Sequence, residues 1–471
     1  MKKATYLFAV LISFLFSSCN DYLNIEPKGS KIPTTLADFE ALLRYEYTIG
    51  RTPIENALYL LNDIYLTNDK VNSPSLASAN YMWDESADRI TLNNADEGTY
   101  YSLYAAISSC NLIIENAPSA TEATEAEKAE VIAYAKVIRA TCFYVLTNYY
   151  ADTYNAATAS EKLSVPYITS AVINAPWEQV SIQKMYEIMI QDVQEAINGG
   201  LPEVSMTAIH PNLGAGYALL ARIYLQMQNY DKALEYANLA LGQNDRLYDW
   251  NAFYDEHKAA IEDPDNYDKL VTPMQYDYVE NYYLRYGVQS NYDSYEYNIP
   301  VERAERFEEG DARFLSRWKL KVDNNDTYYK ALESGFFNHG GLTTCEVYLI
   351  KAECQARLAQ NNDFTEAMNT LNTVRETRIR PDVYQPLQAS TLEEAVKLIR
   401  RTKDNELIFS IVPFADARRL NMESNYARTL TKTYNGKEYS LSPTSHMWTM
   451  PFPAGAINNP GNGTIQQNVS K

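Results

Sequence analysis

The stretch from Leu213 to Leu241, LGAGYALLARIYLQMQNYDKALEYANLAL, constrains the fold of this chain more than any other part of it. Leu213, Tyr217, Leu220, Tyr224 and Met227 recur every three or four residues, which draws one apolar stripe along a helix. A short break at Gln228-Asn229 leads into a second helix with Tyr230, Ala233, Leu234, Ala237 and Leu241 on one face. Ala221, Ala233 and Ala240 supply the small contact points that two closely crossing helices need. Tyr217, Tyr224 and Tyr230 therefore belong to the helical core.

The pattern repeats. Residues 346–378, EVYLIKAECQARLAQNNDFTEAMNTLNTVRETR, read as a second helix pair broken at Asn361-Asn362-Asp363, with Phe364 and Ala367 in the places of Tyr230 and Ala233. A looser third pair joins residues 100–118 to residues 127–150, where Thr124 and Glu127 form a capping box. Further helices are expected at 36–48 behind Thr35, at 181–198, and at 392–410 behind Thr391. The spacing in the pairs looks like tetratricopeptide repeats, and one helix pair cannot bury its own face, so the pairs must stack. The expected fold class is mainly α: helix pairs forming a scaffold, with long irregular insertions on one face.

Two segments resist a helical reading, about 67–97 and 245–342. Loops this long inside a compact protein usually carry function. The chain holds 39 Tyr against 14 Phe. A tyrosine ring stacks on the C–H face of a sugar while its hydroxyl meets sugar hydroxyls. Candidate ligand residues are Tyr81 and Trp83 from the first segment, and Tyr276, Tyr278, Tyr282, Tyr283, Tyr292 and Tyr295 from the second.

Residues 1–18 read as a signal peptide: Lys2 and Lys3, an apolar run from Tyr6 to Phe16 too short to span a bilayer, then small residues before Cys19. Cys19 at the cleavage point is the bacterial lipoprotein pattern, with lipidation of its thiol and several acyl chains at one end giving stable anchoring. Residues 19–471 are expected to form one unit. Asp and Glu number 60 against 41 Lys and Arg, a net charge of −19, which argues against nucleic acid and anionic membrane surfaces as partners. The even count of Cys110, Cys142, Cys345 and Cys354 in an exported chain permits disulfides, but Cys110, Cys142 and Cys354 lie in helical apolar patterns, which favours buried thiols. His210, His257, His339 and His446 are scattered, no metal motif or nucleophile elbow occurs, and Gly214-Ala215-Gly216 reads as the start of a helix. No catalytic residue and no cofactor is expected; whether calcium orders a loop is left open by the sequence.

Several segments resemble the SusD/RagB family. They are the mature start CNDYLNIEP, the helix YYSLYAAISSCNLIIENAP with Asn111, the repeat helices at 213–241 and EVYLIKAECQARL, the stretch KDNELIFSIVPFADARRL, and the terminal MWTMPFPAGAINNPGNGTIQQN. Ser410 to Val412 replace the Glu-Gly-x run usual in that stretch. The resemblance implies a lipid-anchored protein of the outer membrane and cell surface. It would bind an oligosaccharide or, in some relatives, a peptide, and deliver it to a SusC-like TonB-dependent transporter. A surface glycoside hydrolase and a lid without a ligand site are the alternatives.

Overall fold

The computed structural model describes residues 33–45, 50–93, 98–172, 174–263, 270–287, 297–323, 326–332 and 337–469. Cys19 and the signal segment lie outside them.

The helical pairs form where the periodicity places them. Helix α1 spans Leu36–Leu43, opened by a capping box between Thr35 and Asp38; the expected helix to residue 48 stops short. Four short helices follow, α2 (Glu55–Leu61), α3 (Asn68–Val71), α4 (Leu76–Met82) and α5 (Arg89–Leu92). Then come α6 (Gly98–Asn116) and α7 (Glu125–Tyr150), the latter opened by the Thr124–Glu127 box. Strands β1 (Leu163–Tyr167) and β2 (Glu178–Ser181) lead into α8 (Ile182–Gly199).

The first repeat pair is α9 (Leu213–Gln226) and α10 (Tyr230–Gln243); Gln228 turns the chain between them at φ 59°. Tyr224 and Tyr236 stack 5.6 Å apart across this pair. Next come α11 (Trp250–Glu262), β3 (Asn281–Tyr283), α12 (Val301–Ala304), α13 (Ala312–Arg317), β4 (Trp318–Asp323), β5 (Asp326–Ala331) and β6 (Leu342–Thr343). The second pair, α14 (Thr344–Leu358) and α15 (Thr365–Glu376), turns through Asn361 and Asn362, both at φ 55°. The chain closes with α16 (Leu392–Glu406), α17 (Val412–Leu420), the hairpin β7 (Leu430–Tyr434) and β8 (Lys437–Leu441), and α18 (Ala454–Asn458).

Helix α7 packs on α6 and α8, α9 on α10, α10 on α14, and α14 on α15 and α16. The described strands form four separate two-stranded antiparallel ribbons and no larger sheet. One apolar core extends from Phe39 to Ala456, and a second lies between α14, α15 and α16 around Leu349, Phe364, Leu371 and Ile399. The four cysteines Cys110, Cys142, Cys345 and Cys354 are free and buried, and burial pushes their thiols upward.

Both segments read as irregular are corrected. Residues 67–97 hold α3, α4 and α5, and residues 245–342 hold α11, two ribbons and two short helices. Among them, α4, α5 and α11 open on side-chain caps: Ser75 accepts from Ser78 N at 3.1 Å, Asp88 from Thr91 N at 3.0 Å, and Asp249 from Ala252 N at 3.0 Å.

The residues behind the family-like stretch at 403–420 are structural. Lys403 and Arg419 both reach Asp416, at 2.7 and 3.1 Å, and Arg419 grips Glu353 of α14 with two bonds of 2.8 Å. Arg418 donates to the carbonyls of Asn148 and Ala151, which ties α17 to the end of α7. Asn111 donates to the Ile168 carbonyl at 2.8 Å and accepts from Arg139, itself paired with Asp192 of α8 at 2.7 Å.

Candidate functional site

An open groove of about 760 Å³ runs between the α3–α5 segment and the β7–β8 hairpin. Asn72, Ser75, Met82, Asp84, Asp88 and Thr91 line one side, and Tyr434, Lys437 and Tyr439 line the other. The helical side is set by caps. Asp88 holds α5 through Thr91, and these bonds pull its carboxyl below the usual range. Trp83 ends α4 in the left-handed region at φ 54°, a conformation that costs a bulky residue energy and persists only where its surroundings hold it. Here its Nε1 donates to the Leu60 carbonyl at 2.7 Å.

The hairpin side comes from Thr433-Tyr434-Asn435-Gly436-Lys437. Asn435 and Gly436 both take positive φ, 50° and 73°, as a tight two-residue hairpin turn requires. Tyr434 OH donates to Asn68 Oδ1 at 2.6 Å, which fastens the hairpin to α3. The β4–β5 ribbon abuts the same region: Tyr65 stacks on Tyr328 at 4.6 Å and donates to Asp326 at 2.6 Å.

The expected ligand residues divide. Tyr81 and Trp83 belong to this wall, but each is 5 % exposed, and only Trp83 reaches the groove lining. The Tyr81 ring is packed with Leu66 and Val71 instead. Tyr282 and Tyr283 are corrected to core residues. Tyr282 donates to the Ala240 carbonyl at 3.0 Å, and its ring lies against Gly214, where a Cβ would come within 2.6 Å. Tyr283, fully buried, accepts from Arg285 at 3.1 Å. Tyr278 accepts from Trp250 Nε1 at 3.3 Å and borders an inner cavity of about 60 Å³. Tyr276 is 37 % exposed and lies away from the groove lining. Tyr292 and Tyr295 lie outside the described residues. Tyr434 and Tyr439, which the aromatic count did not single out, were detectable from the Asn-Gly turn flanked by alternating residues.

The groove's chemistry suits holding a polyol: tyrosine rings for stacking, with hydroxyl, amide and carboxylate groups for directional bonds. Burial lowers His210 to about 4, with Arg44 adding to it, and pushes His339 to about 3, so both stay neutral at physiological pH. Among the described residues no cluster of His, Cys, Asp or Glu suits a metal ion, and no helix is long and apolar enough to cross a membrane.

Residues 21–225 match a family model described as SusD-like, starch-binding, associating with the outer membrane. A SusD-like protein P25 of Formosa agariphila is 22% identical over 259 residues, half of this chain and 45% of that protein. The match thus spans under half the length of that relative. A SusD superfamily protein of Bacteroides thetaiotaomicron superposes with a TM-score of 0.69 at 18% identity, covering 93% of this chain and 100% of that one. A putative sugar binding protein of Bacteroides vulgatus gives 0.67 at 16% identity, covering 94% and 100%. Fold and site define a helical scaffold of tetratricopeptide-like pairs with an open groove on its surface. Over residues 21–225 the chain is similar to the SusD-like family, and its fold is that of solved SusD superfamily proteins.

Proposed function

We propose that this protein captures an oligosaccharide in the groove between α3–α5 and the β7–β8 hairpin, at the cell surface, and hands it to a TonB-dependent outer-membrane transporter. The observation that carries the reading is the groove itself, where Tyr434 and Tyr439 stand across from the hydrogen-bonding side chains of Asn72, Asp84, Asp88 and Thr91. Support comes from the family description, starch-binding and associating with the outer membrane, and from the carbohydrate-binding names of structural relatives. The lipoprotein pattern at Cys19 supplies the tether in this reading, with acyl chains the sole contact with the bilayer.

The test is calorimetric titration of the protein starting at Asn20 with maltoheptaose and a panel of plant, host and microbial oligosaccharides, beside a peptide digest. Saturable glycan binding that weakens by about 1–2 kcal/mol in Tyr439→Ala is the expected result. Heat with peptides alone, or glycan binding indifferent to Tyr439, overturns the reading.

A further inference from the structure

The hairpin that forms one side of the groove is tied down by an unusual side chain. Strand pairing sets Lys432 opposite Tyr439 and Tyr434 opposite Lys437, so all four share a face. The other face, with Thr431, Thr433, Glu438 and Ser440, is exposed. Leu430 and Leu441 bury the base of the hairpin. Beyond them, the Lys432 amine reaches into the protein, donating to Asn62 Oδ1 at 2.8 Å and to the Tyr81 carbonyl. It lies 3.8 Å from the centre of the Tyr81 ring and 4.8 Å from that of Trp83. Asn62 closes α2 in the left-handed region and donates to the Tyr59 and Tyr81 carbonyls at 2.8 and 3.1 Å. One amine thereby joins α2, α4 and β7.

We propose that Lys432 is the positioning residue of the groove: clasped by the Tyr81 and Trp83 rings, its amine latches the hairpin to α2 and α4 and so fixes Tyr434, Lys437 and Tyr439 as a wall. The functional consequence rests on the groove being the glycan site; the latch itself does not. It also gives Tyr81 and Trp83 their role, which is to hold the wall's anchor and not to stack on ligand.

The latch responds to pH. Burial drives Lys432 down from its ordinary 10.5 to about 7, against the opposing pull of Glu302 on α12. The titratable groups around it are Glu302, Tyr81 from α4, and Tyr434, Glu438 and Tyr439 of the hairpin, with Asp326 of β5 acting on Tyr81. Releasing the latch returns the amine to water, where it binds a proton up to its ordinary value. The latched form therefore gains on the released one as pH rises from about 7 towards 10, by up to about tenfold per pH unit, and is insensitive below 7.

Amide hydrogen exchange of the whole protein, read on peptides covering 430–441 and corrected for intrinsic rate, tests this. In Lys432→Met, hairpin exchange should quicken about tenfold or more while α9 and α10 stay unchanged. In the wild type, hairpin opening should fall between pH 7 and 9, and this trend should vanish in the variant. Maltoheptaose affinity should fall with the same substitution. Unchanged hairpin exchange, or a wild-type hairpin indifferent to pH over that range, overturns the latch even if Lys432→Met fails to fold. A wild-type protein that binds no glycan but shows the exchange pattern overturns only the glycan reading.

Discussion

Arg222 and Glu346 face each other across the two repeat pairs, joined by two parallel bonds of 2.6 Å from Nε and Nη2 to the two carboxylate oxygens. Both side chains are almost fully buried, and Arg222 also donates to the carbonyls of Gly340 and Gly341. The pair locks α9 to α14 and to the loop that leads into β6. Breaking one partner strands a buried charge, so Glu346→Gln should destabilise the protein by roughly 3–5 kcal/mol. In Arg222→Met with Glu346→Leu the charge cost disappears, leaving about 1–2 kcal/mol for the two carbonyls without a donor. Urea denaturation of the two variants checks the ordering, which is reversed if the pair is a net source of stability.

A second ion cluster sets the acid limit. Burial alone would raise the Asp416 carboxyl, but Lys403 and Arg419 outweigh it and hold it at about 2, below its ordinary 3.8. A carboxyl lowered on folding contributes stability above its unfolded value and loses it as pH falls through the folded one. The unfolding free energy from urea titrations should thus drop between about pH 4 and pH 2, by roughly 2 kcal/mol from this group. Asp416→Asn should start from a lower midpoint at pH 6 and flatten this part of the profile. An equally steep acid limb in the variant would assign the loss to other carboxyls.

Trp83 and Tyr276 should part company on substitution. Trp83 is buried and bonded to Leu60, so Trp83→Ala should lower unfolding stability by about 3–5 kcal/mol. Tyr276 is 37 % exposed, and Tyr276→Ala should stay within about 0.5 kcal/mol of the wild type. Thermal melts with denaturant titrations measure both. A Trp83→Ala protein of undiminished stability that fails to bind glycan would return Trp83 to the role of a stacking platform.

The helix pairs were legible because long helices repeat their apolar stripe often enough to stand out: Tyr217, Tyr224 and Tyr230 all pack against the main core. The caps at Thr35, Thr124 and Thr391 were legible for a different reason, since a capping side chain bonds within three residues of itself. Helices α3 and α5 have four residues each, too short for any period to register, and their existence depends on packing. Tyrosine number misdirected the site because a phenol is also good core filler once its hydroxyl finds a backbone carbonyl, as that of Tyr282 does at Ala240. The groove was half visible: its first wall lies in the expected segment 67–97, while its second depends on a hairpin remote in sequence. That Lys432 points inward is a matter of strand parity and tertiary contact, which composition does not carry.

One contact fixes when the groove comes into being. Arg89, fully buried at the start of α5, donates to the carbonyls of His446, Met447 and Thr449, and Asn93 reaches Pro451. His446 lies 357 positions after Arg89. A chain made from its N-terminal end therefore carries a guanidinium with those acceptors still missing through most of its synthesis, beside an unfinished wall. The hairpin at 430–441 arrives just ahead of these carbonyls. Nascent or C-terminally truncated chains accordingly lack the second wall, and the groove is complete only once the hairpin and the segment from His446 to Pro451 have docked.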